Sequence, residues 1–166
     1  QGHTYLSAIE SNLSQRMFTR ILERDNVLMT YKLKCEILLS ASKFGAIEIL
    51  HFLCKLLGEE DHQNGSSQWV GAATDKDSRS AMHLAVMNDQ VDVIDILRYD
   101  LPNPHPTPLY YGPIDYGPIE KKKQALLLSR DKNRKTALEI AVTKNNDIGL
   151  RMCEHLLSYS RWEMFP

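Results

Sequence analysis

The chain has 166 residues, of which 43% are hydrophobic and 25% are charged, and its formal net charge is −1 at pH 7. This composition is ordinary for a soluble globular chain, and at this length we expect one domain, residues 1–166. The longest apolar runs are far shorter than the roughly 18 residues that cross a bilayer, so we expect no membrane insertion.

In chain order, four segments repeat one pattern: a short helix, a turn residue, and a second helix with apolar residues at helical spacing. They lie at residues 5–22, 38–50, 80–97 and 136–145. An alanine marks the same place in each copy, at positions 8, 41, 85 and 141. We expect these alanines to let the first helix sit close to its neighbour, where a larger side chain would overpack.

The residue between the two helices of each copy is suited to a positive φ angle. These residues are Asn12, Gly45, Asp89 and Asn145. Glycine adopts positive φ freely, and Asn and Asp tolerate it best among the other residues. We therefore expect left-handed backbone at the turns.

The third copy carries a recognisable motif in the residues Ser80-Ala81-Met82-His83, followed by Ala85. It resembles the threonine-proline-leucine-histidine-x-alanine motif of ankyrin repeats. The first alanine interval, 33 residues, equals the ankyrin period of about 33, and the next two, 44 and 56 residues, indicate insertions. The resemblance implies an all-α ankyrin-repeat solenoid of four helix-turn-helix units. The units fall at about residues 3–30, 31–58, 75–100 and 131–158, with insertions at about 59–74 and 101–128.

The resemblance also implies structural roles for three polar residues. Asp75 and Asp131 each lie five residues before the start of a first helix, where an ankyrin acidic side chain holds the turn between units by hydrogen bonds to backbone. His83 stands at the position of the ankyrin helix-start histidine, so we expect it to bond to the backbone of a neighbouring turn.

The two insertions differ in composition. Residues 59–68 are polar and rich in turn formers, which predicts a loop. Six of the seven prolines lie between Pro102 and Pro118, where the sequence Tyr-Gly-Pro-Ile also occurs twice. Alternating prolines favour an extended arm that is neither helix nor inner strand. The arm either grips a partner or serves as a rigid connector, and its sequence leaves both interpretations open.

Ankyrin repeats bind partners through a hand-like surface, with turn tips as fingers and first helices as palm. The residues predicted to bind a partner are nine cations and four other side chains: Lys32, Lys34, Lys43, Lys76, Arg79, Lys132, Arg134, Lys135 and Lys144, with Met87, Tyr110, Tyr111 and Tyr116. The second helices and the first insertion carry acidic side chains instead. We therefore expect a positive concave face that attracts acidic partners. Solvated turn lysines without a binding role would explain three or four of these positions.

No motif for enzymatic chemistry stands out. The chain lacks phosphate-loop, nucleophile-elbow and zinc-protease patterns. His51 lies near Cys54 and His155 near Cys153, but neither pair has an orienting third group. We expect no catalysis, no metal site and no cofactor. Three cysteines without a paired spacing indicate a reducing compartment, and so an intracellular protein of the cytoplasm or nucleus.

These patterns predict a non-enzymatic protein-interaction module, a scaffold, adaptor or regulatory domain that is a monomer on its own. Its partner would be an acidic or extended segment of another protein, bound by the basic face and the inserted arm. Three alternatives are an inhibitor-of-NF-κB-like transcription regulator, the cytosolic repeat domain of a membrane protein or channel, and a single-stranded nucleic-acid binder. Because the chain lacks a start methionine and a leader, we expect it to be part of a larger protein.

Overall fold

A computed structural model describes residues 7, 9–10, 15–24, 27–64, 70–100 and 126–158. The structure gives the bounds of seven α-helices: α1 (Gln15–Arg24), α2 (Tyr31–Phe44), α3 (Ile47–Asn64), α4 (Ala81–Met87), α5 (Val91–Tyr99), α6 (Ala137–Thr143) and α7 (Asp147–Leu157). Residues 126–128 are also helical. A 3₁₀ turn spans Val70–Ala72. No β-strand occurs in the described ranges, where one isolated bridge joins Thr74 to Ser80. The prediction of an all-α chain is confirmed.

The helices form two layers. Consecutive helices pair as α2 with α3, α4 with α5, and α6 with α7. The first helices α2, α4 and α6 also contact one another in series, and so do α1, α3, α5 and α7. The buried apolar side chains come from both layers, so the core lies between them.

The turn within each pair adopts the backbone that the sequence predicts. The φ angles are +70° at Gly45, +62° at Asp89 and +48° at Asn145. A Cβ at Gly45 would also meet the end of the Gln90 side chain, which would have to move aside, so the positive φ is the stronger reason for glycine at this position. The fourth expected turn residue, Asn12, lies outside the described residues.

Small residues mark the closest approaches of the helices. Ala41 and Ala85 are fully buried and Ala141 is nearly so, as predicted, whereas Ala8 lies outside the described residues. At Gly149 in α7, a Cβ would lie 2.7 Å from a carbonyl oxygen of α6. The α6–α7 contact therefore has no room for a side chain at that position.

The first insertion begins later than the sequence predicts. Helix α3 continues to Asn64, so residues 59–64 are helical instead of a loop. The physical reason is that Glu and Gln are good helix formers and that no glycine or proline lies between Gly58, which is itself inside α3, and Gly65. Polar composition alone does not end a helix.

The second insertion lies mostly outside the described residues. Residues 101–125 belong to that part, and the chain re-enters the described fold at Leu126. Leu126 is buried in the core, whereas Leu128 is exposed. Leu126, together with the partly buried Leu127, therefore anchors the returning chain to the core.

The last helix pair leaves one side uncovered. Val86 and Ile94 are fully buried, whereas Val142 and Leu150, 56 residues later in the same positions, are each 63% exposed. No described residue covers the outer side of α6 and α7 as those two helices cover α4 and α5.

None of the helices in the described ranges has the length and apolar character needed to cross a membrane.

Candidate protein-binding surface

The surface is built around two turns of the same construction. In the first turn, Asp75 Oδ1 accepts hydrogen bonds from the backbone N–H groups of Asp77 at 2.9 Å and Arg79 at 3.0 Å. The backbone N–H of Asp75 in turn donates to the carbonyl oxygen of Arg79. Ser78, with φ of +59°, closes the turn. We call this segment the 75–79 turn.

The second turn repeats this arrangement 56 residues later. Asp131 Oδ1 accepts from the backbone N–H groups of Asn133 and Lys135, both at 2.9 Å. Arg134, with φ of +62°, occupies the place of Ser78. The predicted role of the two aspartates in holding the turn backbone is confirmed. We call this segment the 131–135 turn.

Both aspartates are more acidic than usual. Burial alone would raise the pKa of Asp75, but hydrogen bonds from the Arg79 and Asp77 backbone and the Arg79 guanidinium lower it below its ordinary value. The pKa of Asp131 is lowered first by the hydrogen bond from the Lys135 backbone. Both carboxylates are therefore charged at neutral pH and committed to the backbone of their turns.

Direct bonds hold the two turns side by side. The backbone N–H of Lys132 donates to the carbonyl oxygen of Asp77 at 2.9 Å. His83, in the first turn of α4, reaches the carbonyl oxygen of Lys135 with Nε2, also at 2.9 Å. The backbone of the 131–135 turn is thus fixed relative to α4.

The bonds of His83 define its tautomer. His83 is fully buried, and its Nδ1 accepts a hydrogen bond from the backbone N–H of Ser80 at 3.2 Å. Because Nδ1 accepts, the proton of the neutral ring lies on Nε2, which donates to Lys135. The predicted bond from His83 to the backbone of a neighbouring turn is confirmed. In the fourth copy Glu139 takes its place, and the carboxylate accepts from the backbone N–H of Thr136 at 2.6 Å.

Helices α4 and α6 run in the same direction beside these turns. His83 links their N-terminal ends. At their C-terminal ends, Lys144 Nζ donates to the carbonyl oxygen of Met87 at 3.3 Å and to Asp89 Oδ1 at 2.7 Å. The two turns therefore lie together at the N-terminal ends of the helices. We call that side of the molecule the turn edge.

Two predicted cations are neutralised by neighbours. The Arg79 guanidinium pairs with Asp75 and Asp77, each at 2.8 Å, and also reaches the sulfur of Met87 at 4.0 Å. Lys144 pairs with Asp89. The structure therefore brings Arg79, Met87 and Lys144 together, but as a charge-compensated group.

The turn edge carries four exposed cations without an ion pair among the described residues. Lys76, Lys132, Arg134 and Lys135 are exposed, and none has an ion-pair partner within 4.0 Å in the part of the chain that the structure describes. Three of the four belong to the 131–135 turn, whose one carboxylate is Asp131. Among the described residues, this turn is the strongest candidate for binding an acidic group.

The other predicted positions do not join this cluster. Lys34 is only 8% exposed, which differs from the expected surface position because it lies on the inward side of α2. Lys32 and Lys43 are exposed at opposite ends of α2, with Lys43 Nζ 4.7 Å from the centre of the Phe44 ring. Tyr110, Tyr111 and Tyr116 lie outside the described residues.

Sequence reasoning identified one of the neutralising partners and missed another. Asp77 is recognisable in the sequence as a carboxylate among the predicted cations, two residues from Arg79 in the same turn. Asp89 gave no such signal, because 55 residues separate it from Lys144. The ion pair between Arg130 and Glu139, at 3.5 Å, was likewise not expected.

The cysteines have the character of structural thiols. Burial raises the pKa of Cys54 to about 12. Burial also raises the pKa of Cys35 and of Cys153. Because the thiolate is the reactive form, these thiols are poor nucleophiles at neutral pH. Among the described residues, no three His, Cys, Asp or Glu side chains group closely enough to hold a metal ion.

No protein-family model matches the chain, and no curated protein matches it either.

Proposed function

We propose that the chain is an ankyrin-type stack of helix pairs that binds another protein through the turn edge. The fold assignment is supported by the left-handed turn residues, the buried alanines and the two identical aspartate-held turns. Such stacks bury a continuous core by contacts between neighbouring units and offer an extended surface for partners. The functional part of the assignment is an analogy of fold.

The observation that best supports the proposed function is that the cations of the 131–135 turn have no ion-pair partner among the described residues. Lys132, Arg134 and Lys135 are exposed, while Asp131 is committed to the turn backbone. A group of cations attracts an acidic segment and speeds its association. The bonds to His83 and Asp77 hold the backbone that carries these cations before a partner arrives, so the backbone of the turn does not have to be ordered on binding.

A protein partner fits this turn better than a single-stranded nucleic acid. Binding to single strands combines a basic groove with aromatic side chains on which bases stack. Residues 126–158 supply the cations of the turn and contain no Phe, Trp or Tyr. Within residues 126–158, the turn thus provides positive charge without an aromatic side chain on which a base could stack.

The test is a fluorescence-anisotropy titration of the folded chain with three labelled probes. These are a Glu/Asp-rich peptide, a neutral Gly/Ser peptide and a single-stranded oligonucleotide with the same charge as the acidic peptide. The variant K132Q/R134Q/K135Q should bind the acidic peptide at least fivefold more weakly at low salt and with a flatter salt dependence. Its matched control is R16Q/R20Q/K55Q, which removes three exposed cations from α1 and α3.

Equal loss of affinity in the two variants would show that net charge alone attracts the peptide and would overturn the assignment of the turn. Tighter binding of the oligonucleotide than of the acidic peptide would favour a nucleic-acid partner instead.

A further inference from the structure

The binding surface has two chemically different ends. At the turn edge, Lys132, Arg134 and Lys135 are exposed and have no ion pair among the described residues. Around Met87, at the C-terminal end of α4, the side chain of Arg79 reaches in from the 75–79 turn and Lys144 lies at the end of α6, and both cations are paired with carboxylates. Acidic groups are therefore attracted to the first end and not to the second.

The compensated end surrounds an exposed apolar side chain. Met87, the last residue of α4, is 40% exposed. The Arg79 guanidinium lies 4.0 Å from its sulfur, and Lys144 Nζ bonds to its carbonyl oxygen. Methionine is a flexible and polarisable contact that adapts to apolar side chains. Arg79 and Lys144 pair with three carboxylates, those of Asp75, Asp77 and Asp89, so this end has no net positive charge to attract an acidic group.

We infer that the partner is an extended segment, an inference that rests on the proposed function. One apolar side chain of the segment contacts Met87, and an acidic cluster about four residues away contacts the 131–135 turn. A segment of this kind differs from one that is acidic along its whole length, because its apolar residue gains a contact that charge does not provide.

The spacing follows from the length of α6. Lys144 contacts the backbone of Met87, so Met87 lies beside the C-terminal end of α6. Lys135 lies just before its N-terminal end, nine residues earlier. At about 1.5 Å per residue, the two ends are about 14 Å apart. An extended chain covers that distance in about four residues, at roughly 3.3–3.6 Å each.

The geometry sets the spacing between the apolar residue and the acidic cluster of the partner, but it does not set the direction in which the partner chain runs. An apolar residue before or after the acidic cluster can reach Met87 equally well. A spacing of ten residues would place the apolar side chain about 20 Å too far away for a straight segment.

The test uses labelled Gly/Ser peptides that carry one leucine and a Glu-Glu-Asp cluster. The leucine lies four or ten residues from the cluster, in both orders, and a further peptide has serine in its place. In anisotropy titrations, the four-residue peptide should bind at least threefold more tightly than the ten-residue and serine peptides. The variant M87A should abolish that difference, and the control L150A, at an exposed leucine of α7, should preserve it.

The outcomes separate this inference from the proposed function. If K132Q/R134Q/K135Q weakens the binding of every peptide but the leucine does not change the affinity for the unmodified chain, the inference is overturned and the proposed function stands. If the same variant weakens the binding of no peptide, the proposed function fails. If L150A removes the benefit of the leucine while M87A preserves it, the apolar contact is on α7 and the inference is overturned. Because Met87 is partly exposed, M87A should unfold at nearly the same urea concentration as the unmodified chain, which is checked first.

Discussion

Replacing His83 with alanine removes the side chain that connects α4 to the 131–135 turn. The substitution leaves the backbone N–H of Ser80 without its acceptor at 3.2 Å and the carbonyl oxygen of Lys135 without its donor at 2.9 Å. Each lost hydrogen bond costs about 1 kcal/mol net, and more where the remaining group stays buried. The cavity left by a fully buried ring adds about 1–2 kcal/mol. We therefore expect H83A to lower the free energy of unfolding by about 3 kcal/mol.

The assay is urea unfolding followed by circular dichroism at 222 nm. The matched control is H51A, because the His51 side chain is 53% exposed and its contact with Asp100 is 3.5 Å long. That variant should lose less than about 1 kcal/mol, as exposed pairs do. The variant H83L refills much of the volume without restoring the bonds, and it should stay at least about 2 kcal/mol less stable than the unmodified chain. If H83A costs no more than H51A, the bond between His83 and the turn does not support the fold.

Three further predictions concern stability and reactivity. We expect G149A to destabilise the chain by about 1–3 kcal/mol in urea unfolding, although alanine is the better helix former, because its Cβ would meet a backbone oxygen at 2.7 Å. Since the pKa values of Asp75 and Asp131 are lowered on folding, their stabilisation should be complete well above about pH 4 and disappear as the pH falls through the folded values. The double variant D75N/D131N should therefore show a shallower loss of stability between about pH 5 and pH 2 in acid unfolding. We expect Cys54 to react with an aromatic disulfide reagent only after unfolding, because it is buried and its pKa is raised to about 12.

Each of these predictions has a contrary result. An increase in stability for G149A would show that helix propensity outweighs the close contact of α6 and α7. Equal acid sensitivity of D75N/D131N and the unmodified chain would show that other carboxylates govern acid unfolding. Fast labelling of Cys54 in the native chain, compared with the control C54A, would show that α3 opens locally.

Features set by neighbouring residues could be predicted from the sequence. Gly45, Asp89 and Asn145 adopt positive φ because their own backbone preferences permit it. Asp75 and Asp131 bond to backbone groups within four residues of themselves. The turn conformations and the aspartate hydrogen bonds each depend on a few consecutive residues, so a sequence pattern is enough to predict them.

Features set by distant residues could not be predicted in the same way. The compensation of Lys144 depends on Asp89, which belongs to another helix pair. The burial of Lys34 depends on how α2 packs, whereas its position in the sequence suggested an exposed turn. Of the nine predicted cations, Arg79 and Lys144 are paired with carboxylates and Lys34 is buried, and each of these outcomes depends on neighbours that the sequence does not identify.

The most direct test of the proposed binding surface is site-specific photo-cross-linking at Asn133, an exposed residue between two cations of the 131–135 turn. A photoreactive amino acid is placed there, and in a control at Arg20 on α1, and the labelled chains are irradiated in cell extract. We expect a discrete protein adduct at position 133 that is lost in K132Q/R134Q/K135Q and displaced by the Glu/Asp-rich peptide. The same adducts from position 20, or adducts at 133 that persist after neutralisation, would contradict a partner site on this turn.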